Sequence, residues 1–363
     1  MDVSRIGRIG AIVLAGSLVL TACSEDSSDN SSDSASSSID CVSGTIKASG
    51  SSAQKNAMTD WINAYQTACP DATIEYSPSG SGAGVQDFLA GQNDFAGSDS
   101  ALKDDETGPA AERCENNPAL NLPMVVGPIA VAFNVEGVDS LTLTPDVIAG
   151  IFGNTITNWN DPAIAELNSG ANLPDATIAQ FHRSDSSGTT DNFTKYLSAA
   201  APDVWTYDSG KEWKAPGGQG SKGSDGVASS LKSTPNSIGY VEYSFTEESS
   251  DIVAAAVDNG GGAVELSAES AAAALASATR VGTGNDYALD LQAVYTTTEA
   301  GAYPIVLVTY EIVCQAGGTN VDLVKSFLTY TSSEDGQAEL ANIGYAGIGD
   351  LQPDVAAAVA SIS

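Results

Sequence analysis

From Cys41 onward the chain alternates short apolar runs with stretches of helical periodicity, the pattern of an α/β architecture. Residues 45–48 read as a short strand, Ala57, Met58, Trp61, Ile62 and Tyr65 recur at helical spacing, and residues 72–76 return to strand. A glycine-rich turn at residues 80–84 leads into a helix carrying Val85, Phe88 and Leu89. Two long apolar strands are expected at residues 123–134 and 304–314. The segment between them has strands of its own at residues 177–183 and 238–243, and an Ala-rich amphipathic helix at residues 267–278. Two long strands flanking a self-contained insert predict crossovers between two lobes. The first lobe is expected from residues 41–133 plus 305–363, and the second from residues 134–304.

The first forty residues follow no such pattern. Arg5 and Arg8 precede an apolar run from Ile9 to Leu20, too short to span a bilayer comfortably and shaped like a secretory signal. Leu20-Thr21-Ala22-Cys23 reads as a lipobox, so residues 1–22 are expected to be removed and Cys23 to carry the lipid, diacylglycerol and palmitate, as the mature N-terminus. Residues 24–40 hold nine Ser and five Asp or Glu, with Ile39 as the one large apolar side chain. Such a composition cannot bury enough surface to fold, so residues 23–40 are expected to form a solvated tether with a reach of roughly 20 to 25 Å.

Composition narrows the function. The 363 residues suggest two domains, and 46 acidic against 14 basic residues give a formal net charge of -32. A chain this acidic lacks the basic footprint for nucleic acid or an anionic membrane surface. Loss of residues 1–22 makes it one charge more acidic and leaves three arginines, Arg113, Arg183 and Arg280. Cys23 aside, Cys41, Cys69, Cys114 and Cys314 are an even set in an exported chain, which predicts two disulfides. Cys41 with Cys69, bracketing one strand-helix unit, and hence Cys114 with Cys314, is the favoured of three connectivities.

Catalytic chemistry finds little support. One histidine, His182, and no C-x-x-C spacing leave few ligands for zinc, and no metal or other cofactor is implied. There is no G-x-S-x-G elbow, no Walker A sequence and no full dinucleotide fingerprint. His182 lies in a strand pattern and reads as structural, so the chain is expected not to be an enzyme. What recurs instead is small residues where helices begin: Ser49 to Ser52, Ser79 to Gly82, and Ser186 to Thr189. A helix N-terminus presents unpaired N–H groups and partial positive charge, and Ser or Thr adds a hydroxyl. Each turn alone is what any helix start contains. Their coincidence with Arg183, four residues before Ser187, points to an anion site.

These residues resemble a family. Gly50-Ser51-Ser52-Ala53, Gly80-Ser81-Gly82-Ala83-Gly84-Val85, Ala96-Gly97-Ser98-Asp99, His182 to Thr189, and Ile238-Gly239-Tyr240-Val241-Glu242-Tyr243 look like the phosphate-binding subunit (PstS) of the high-affinity phosphate ABC transporter. Ile151-Phe152-Gly153-Asn154 and Trp159 to Ile164 extend the likeness, which runs from about residue 44 onward. The resemblance implies a type II periplasmic-binding-protein fold, two α/β lobes joined by two crossover strands around a ligand cleft. It implies inorganic phosphate as ligand, the membrane subunits of an ABC permease as partner, a monomer, and residence at the extracytoplasmic face of the cell membrane. By matching position, Ser52, Ala53, Ser81, Asp99, Arg183, Ser187, Gly188 and Thr189 would contact phosphate, with Asp185 bracing the arginine. Ser186 replaces a glycine common in the family, and the four cysteines are not a general family feature. A binding protein for another, sulfate-like oxyanion is the alternative, with a phosphoester hydrolase or an adhesion protein behind it. Asp99 argues against sulfate, because a fully ionised anion has no proton to offer a carboxylate.

Overall fold

The structure, a computed structural model, describes residues 39–247 and 249–363. The expected leader, the lipobox cysteine Cys23 and all but the last two residues of the tether lie outside the described residues.

The main sheet has nine strands: β1 (Gly44–Gly50), β2 (Ala72–Ser77), β3 (Phe95–Ser98), β4 (Ala119–Asn134), β5 (Ala179–Arg183), β6 (Gln219–Ser221), β7 (Ser237–Glu242), β8 (Val253–Ala254) and β9 (Val306–Cys314). They lie in the order β2-β1-β3-β9-β4-β7-β5-β6, with β8 paired to β4. At one side β2, β1 and β3 are parallel, and at the other β7, β5 and β6 are parallel. The antiparallel strands β4 and β9 join these halves. β4 is buried almost throughout its 16 residues, and it pairs with β9 over its first part and with β7 over its last six residues. A single strand therefore belongs to both halves, which a continuous apolar run permits and an alternating one would not.

The sequence places the start of this strand at residue 123, whereas the strand begins at Ala119. Proline lacks the N–H of a ladder strand and reads as a boundary. Here Pro123 sits inside the strand at an irregularity, where Thr309 faces Val125, Tyr310 faces Pro123, and Met124 has no partner opposite. The bulge absorbs the missing donor and changes the local twist.

Helices flank the halves: α1 (Lys55–Ala68), α2 (Ser81–Leu89), α3 (Asp104–Arg113), α4 (Gly188–Ala200), α5 (Gly223–Ser233), α6 (Val321–Thr331) and α7 (Gln352–Ala360). The predicted face of α1 is buried through Ala57, Met58, Trp61 and Tyr65, while Ile62 is only partly covered. It packs with Phe327 of α6 and Val355 of α7 into one core. A second core takes Val85 and Phe88 of α2, runs along Ile129 to Phe133 of β4, and continues into Phe193 and Leu197 of α4. The Ala-rich segment forms a helix at Ala268–Leu275, shorter than its sequence suggests.

Both expected disulfides form. Cys41 pairs with Cys69 across the β1–α1 unit, and Cys114, at the end of α3, pairs with Cys314, at the end of β9. The second closes a separation of 200 residues, and long closed loops restrict the unfolded chain most. The double variant Cys114→Ser with Cys314→Ser should lose roughly 2 to 5 kcal/mol of stability. Guanidinium melts of oxidised parent and variant measure this, and coincident midpoints would show that the link adds nothing.

Candidate functional site

Parallel strands deliver their next residues to one edge, and ligands of open α/β sheets gather at the carboxyl ends of strands. Ser51 and Ser52 follow β1, Ser81 opens α2 after β2, Asp99 follows β3, and Arg183 ends β5. The ends of β1 and β3 approach closely at Gly50, where φ is +142° and a Cβ would strike the Gly97 carbonyl oxygen. Only glycine meets both conditions.

Asp99 lies at the centre and is 2% exposed. Its Oδ1 accepts hydrogen bonds from Ser51 Oγ and, at 2.9 Å, from Thr309 Oγ1 of β9. Its Oδ2 accepts from Ser81 Oγ at 3.1 Å, and the Asp99 N–H donates to that same hydroxyl at 3.1 Å. Burial pushes the Asp99 carboxyl above the usual range, opposed by hydrogen bonds from Ser51, Thr309 and Ser81 and by the charge of Arg183.

Across the seam stands Arg183, whose side chain is 2% exposed. Asp185 holds it in a two-pronged pair, Nε to Oδ1 at 2.7 Å and Nη2 to Oδ2 at 2.5 Å. Nη1 reaches Thr189 Oγ1 at 3.4 Å. This fork fixes the plane of the guanidinium, as a bidentate carboxylate does. Burial pushes Asp185 up, but the hydrogen bonds and charge of Arg183 outweigh it and hold the carboxyl below its ordinary value. The Arg183 N–H donates to Tyr240 Oη at 3.1 Å, and Tyr240 stacks on Phe193 and Trp213 to floor the site.

Ser187 caps α4, its Oγ accepting from the Thr190 N–H at 3.1 Å. Gly188 opens the helix against the other half of the sheet: a Cβ there would lie 2.5 Å from both Asp99 Cβ and Ser81 Oγ. The two sets of loops are in direct contact. Asn192 donates to the Asp99 carbonyl oxygen at 2.7 Å, Ser100 Oγ to Asp191 at 2.6 Å, and the Gly82 N–H to the Ser186 carbonyl oxygen at 3.0 Å. Lys55 of α1 pairs with Asp225 of α5 at 2.8 Å.

All nine residues singled out from the sequence thus gather at one seam, with differing local roles. Ser52 Oγ accepts from the Ser224 N–H at 3.1 Å, and the Ala53 N–H is turned to Ser51 Oγ at 3.1 Å. Asp185 also receives the Gly223 N–H at 3.0 Å, so a fourth helix start, that of α5, joins the three expected. Gly223-Ser224 carries the same small-residue signal as the others. Ser51 and Thr309 were missed as well. Two adjacent serines do not reveal which one turns toward Asp99, and Thr309 looks like one polar interruption in an apolar strand. His182 stacks on Trp213 with ring centroids 4.9 Å apart, and its Nδ1 lies 2.9 Å from the Arg183 carbonyl oxygen. Burial lowers its pKa, and that backbone contact offsets part of the effect.

The arrangement is hydroxyls, helix-start N–H groups and one braced guanidinium around one buried carboxylate. Such a set suits an oxyanion that still carries a proton.

Comparison with known proteins agrees. The profile of the PBP superfamily domain matches residues 35–335. Phosphate-binding protein PstS 3 of Mycobacterium tuberculosis (strain ATCC 25618 / H37Rv) is 43% identical, over 96% of this chain and 96% of its own length. PstS 2 of that strain is 40% identical over the whole of both chains. This chain belongs to the PstS family of phosphate-binding proteins. It is a family of solute-binding proteins, not of enzymes. The solved structure of the high-affinity periplasmic phosphate-binding protein PfluDING, bound with phosphate, superposes with a TM-score of 0.65 at 20% identity, over 88% of this chain and 93% of that one. That likeness carries the fold, which is of the type II periplasmic-binding-protein class.

A second carboxyl lies deeper. Glu311 on β9 faces Gly97 of β3 in the ladder, is fully buried, and neither carboxyl oxygen has a hydrogen-bond partner among the described residues. Burial pushes it up to about 8, partly offset by Gln54 and reinforced by Asp99. The folded chain therefore keeps a proton that an unfolded glutamate releases near 4.5. The stability tied to this proton is complete below that value and is lost as pH rises toward about 8. Glu311→Gln should therefore gain on the parent by roughly 1 to 3 kcal/mol more at about pH 9 than at about pH 5. Urea melts at both pH values measure the difference, and an equal effect at each would show an ordinary carboxyl.

Proposed function

We propose that this protein captures inorganic phosphate in the cleft between a lobe of residues 41–133 plus 305–363 and a lobe of residues 134–304. It then delivers the anion to the membrane subunits of an ABC permease. Ser52, Ala53, Ser81, Asp99, Arg183, Ser187, Gly188 and Thr189 make the ligand contacts, and Asp185 holds the arginine in place. The observation that carries this reading is the buried carboxylate of Asp99, set among donors and opposite a braced guanidinium. Phosphate at neutral pH retains a proton that Asp99 accepts. Sulfate retains none and places a lone pair against the carboxylate, so selectivity comes from repulsion. The names of the PstS relatives support phosphate as the ligand.

Calorimetric titration of the mature chain with phosphate, and with sulfate in competition, tests the reading. Phosphate should bind and sulfate should not compete. Arg183→Ala should weaken phosphate by roughly 2 to 5 kcal/mol, the scale for truncating one member of a buried charged pair. Asp99→Asn should narrow the gap between phosphate and sulfate by about 1 to 3 kcal/mol, because an amide donates as well as accepts. Parental affinity in a folded Arg183→Ala variant would move the anion elsewhere, and an unchanged ratio in Asp99→Asn would remove the carboxylate from selection.

The protein works outside the cytoplasmic membrane, held there by lipid on Cys23. Support comes from the lipobox beside the Ser- and Asp-rich segment. No helix among the described residues is long and apolar enough to cross a membrane. Cys23→Ala should release the protein into the soluble fraction. An N-terminal peptide of the parent without acyl mass would refute the anchor.

A further inference from the structure

Beside the phosphate cleft lies a groove of about 520 Å³, between the start of α2 and the loop that follows α4. Lys103, Lys211 and Lys214 line it against Glu106 and Glu212. Cations outnumber acids here, in a chain where 46 acidic residues face 14 basic ones. Lys103 and Lys214 are exposed, and Lys214 pairs with Asp208 at 3.2 Å. Lys211 is different. It is 6% exposed, and its buried Nζ has no hydrogen-bond partner among the described residues.

A buried ammonium without a partner is costly, because water is lost and nothing replaces it. Glu106, the acid nearest in its influence, already accepts the Lys103 N–H at 2.9 Å. Burial lowers the pKa of Lys211, opposed by Glu106 and Asp191, and an anion beside it would oppose that further. The position of the groove matters as much as its charge. Gly82 and Ser186 line it, and the hydrogen bond between them closes the seam. Their neighbours Ser81 and Ser187 belong to the cleft on the far side. The Lys211 carbonyl oxygen accepts the Ser187 N–H at 2.9 Å, so the lysine is anchored to the first turn of α4.

We propose that this groove is the way in for the anion and that Lys211 is its outer contact: incoming phosphate pairs with the Lys211 ammonium before passing between Gly82 and Ser186. The inference rests on the phosphate-capture reading and adds to it a capture station outside the closed cleft. Passage requires the two lobes to part at the Gly82–Ser186 hydrogen bond. When they close, Lys211 is left outside the site, so it acts on arrival more than on retention.

Stopped-flow mixing of the mature chain with inorganic phosphate, followed by tryptophan fluorescence, separates the two. Trp213, stacked on Tyr240 beneath Arg183, supplies the signal. At low salt Lys211→Gln should slow association roughly 3- to 10-fold, with dissociation unchanged, and the deficit should shrink as salt screens the charge. Lys211→Arg should restore the rate. Lys103→Gln, at an exposed position that does not threaten folding, should slow association about twofold by the same steering. It carries the test should Lys211→Gln not fold. Parental association in either folded glutamine variant, or a change confined to dissociation, would overturn the inference while leaving phosphate capture intact. A parent that takes up no phosphate would overturn both.

Discussion

A carboxylate can be buried only if something answers its charge, and Asp99 draws that answer from nearly every segment that builds the cleft. Ser51 follows β1, Ser81 opens α2, Thr309 arrives on β9 from near the end of the chain, and Asn192 reaches the Asp99 carbonyl oxygen from α4. Arg183 adds its charge from the end of β5. Any arrangement that left one of these segments elsewhere would strand a charge in a low-dielectric interior, a cost of several kcal/mol. The sheet order follows the same requirement. β9 must lie beside β3 for Thr309 to meet Asp99, and it returns to that place from near the end of the chain.

On the proposed reading, this local solution lets a strongly acidic protein hold an anion. Exposed charges are screened beyond about 8 Å at physiological salt, so the distant carboxylates matter less than the nearest dipoles. The nearest groups are helix starts, which carry partial positive charge without any lysine or arginine. Arg183 is the guanidinium at the seam, and Asp185 prevents it from turning away. A pair this tight gives up part of its charge to its partner. On the proposed reading, the Thr189 and Ser187 region and the hydroxyls of Ser51, Ser52 and Ser81 supply the remaining donors.

Much of this is legible in the sequence. The turns at residues 49–52, 79–82 and 186–189 announce themselves because Ser and Gly cluster where apolar periodicity begins, and Arg183 stands out by rarity in the mature chain. The Cys41–Cys69 pair follows from the strand-helix unit it brackets, with Cys114–Cys314 as the remainder. The leader and lipobox that the sequence predicts fall outside the described residues. Thr309 was not legible, because its meaning depends on a strand pairing across some two hundred residues and on the bulge at Met124. Ser224 was missed for a different reason: β6, the short exposed strand before its helix, has no apolar pattern to mark it. Lys211 reads in sequence as one more surface lysine, and only burial without a partner distinguishes it.

Protons complete the electrostatics. Besides Asp99, two more carboxyls are fully buried near the cleft, Glu242 and Glu311, and burial pushes each up to about 8. Glu242 is tied to Ser244, whose Oγ donates to it at 2.5 Å and lies 3.0 Å from Tyr345 Oη. Tyr345 in turn donates to the Ala53 carbonyl oxygen at 2.6 Å, just before α1. A chain of hydrogen bonds thus runs from the end of β7 to the segment that leads into α1. Each of these glutamates feels the charge of Asp99, and the like charges raise both. Below about pH 8 the two stay neutral and add no negative charge beside Asp99. Above it, ionisation would set two charges in a dry interior beside Asp99, opposing the fold and the ligand together. The neutral form of these acids therefore spares Asp99 two like charges in the same dry interior.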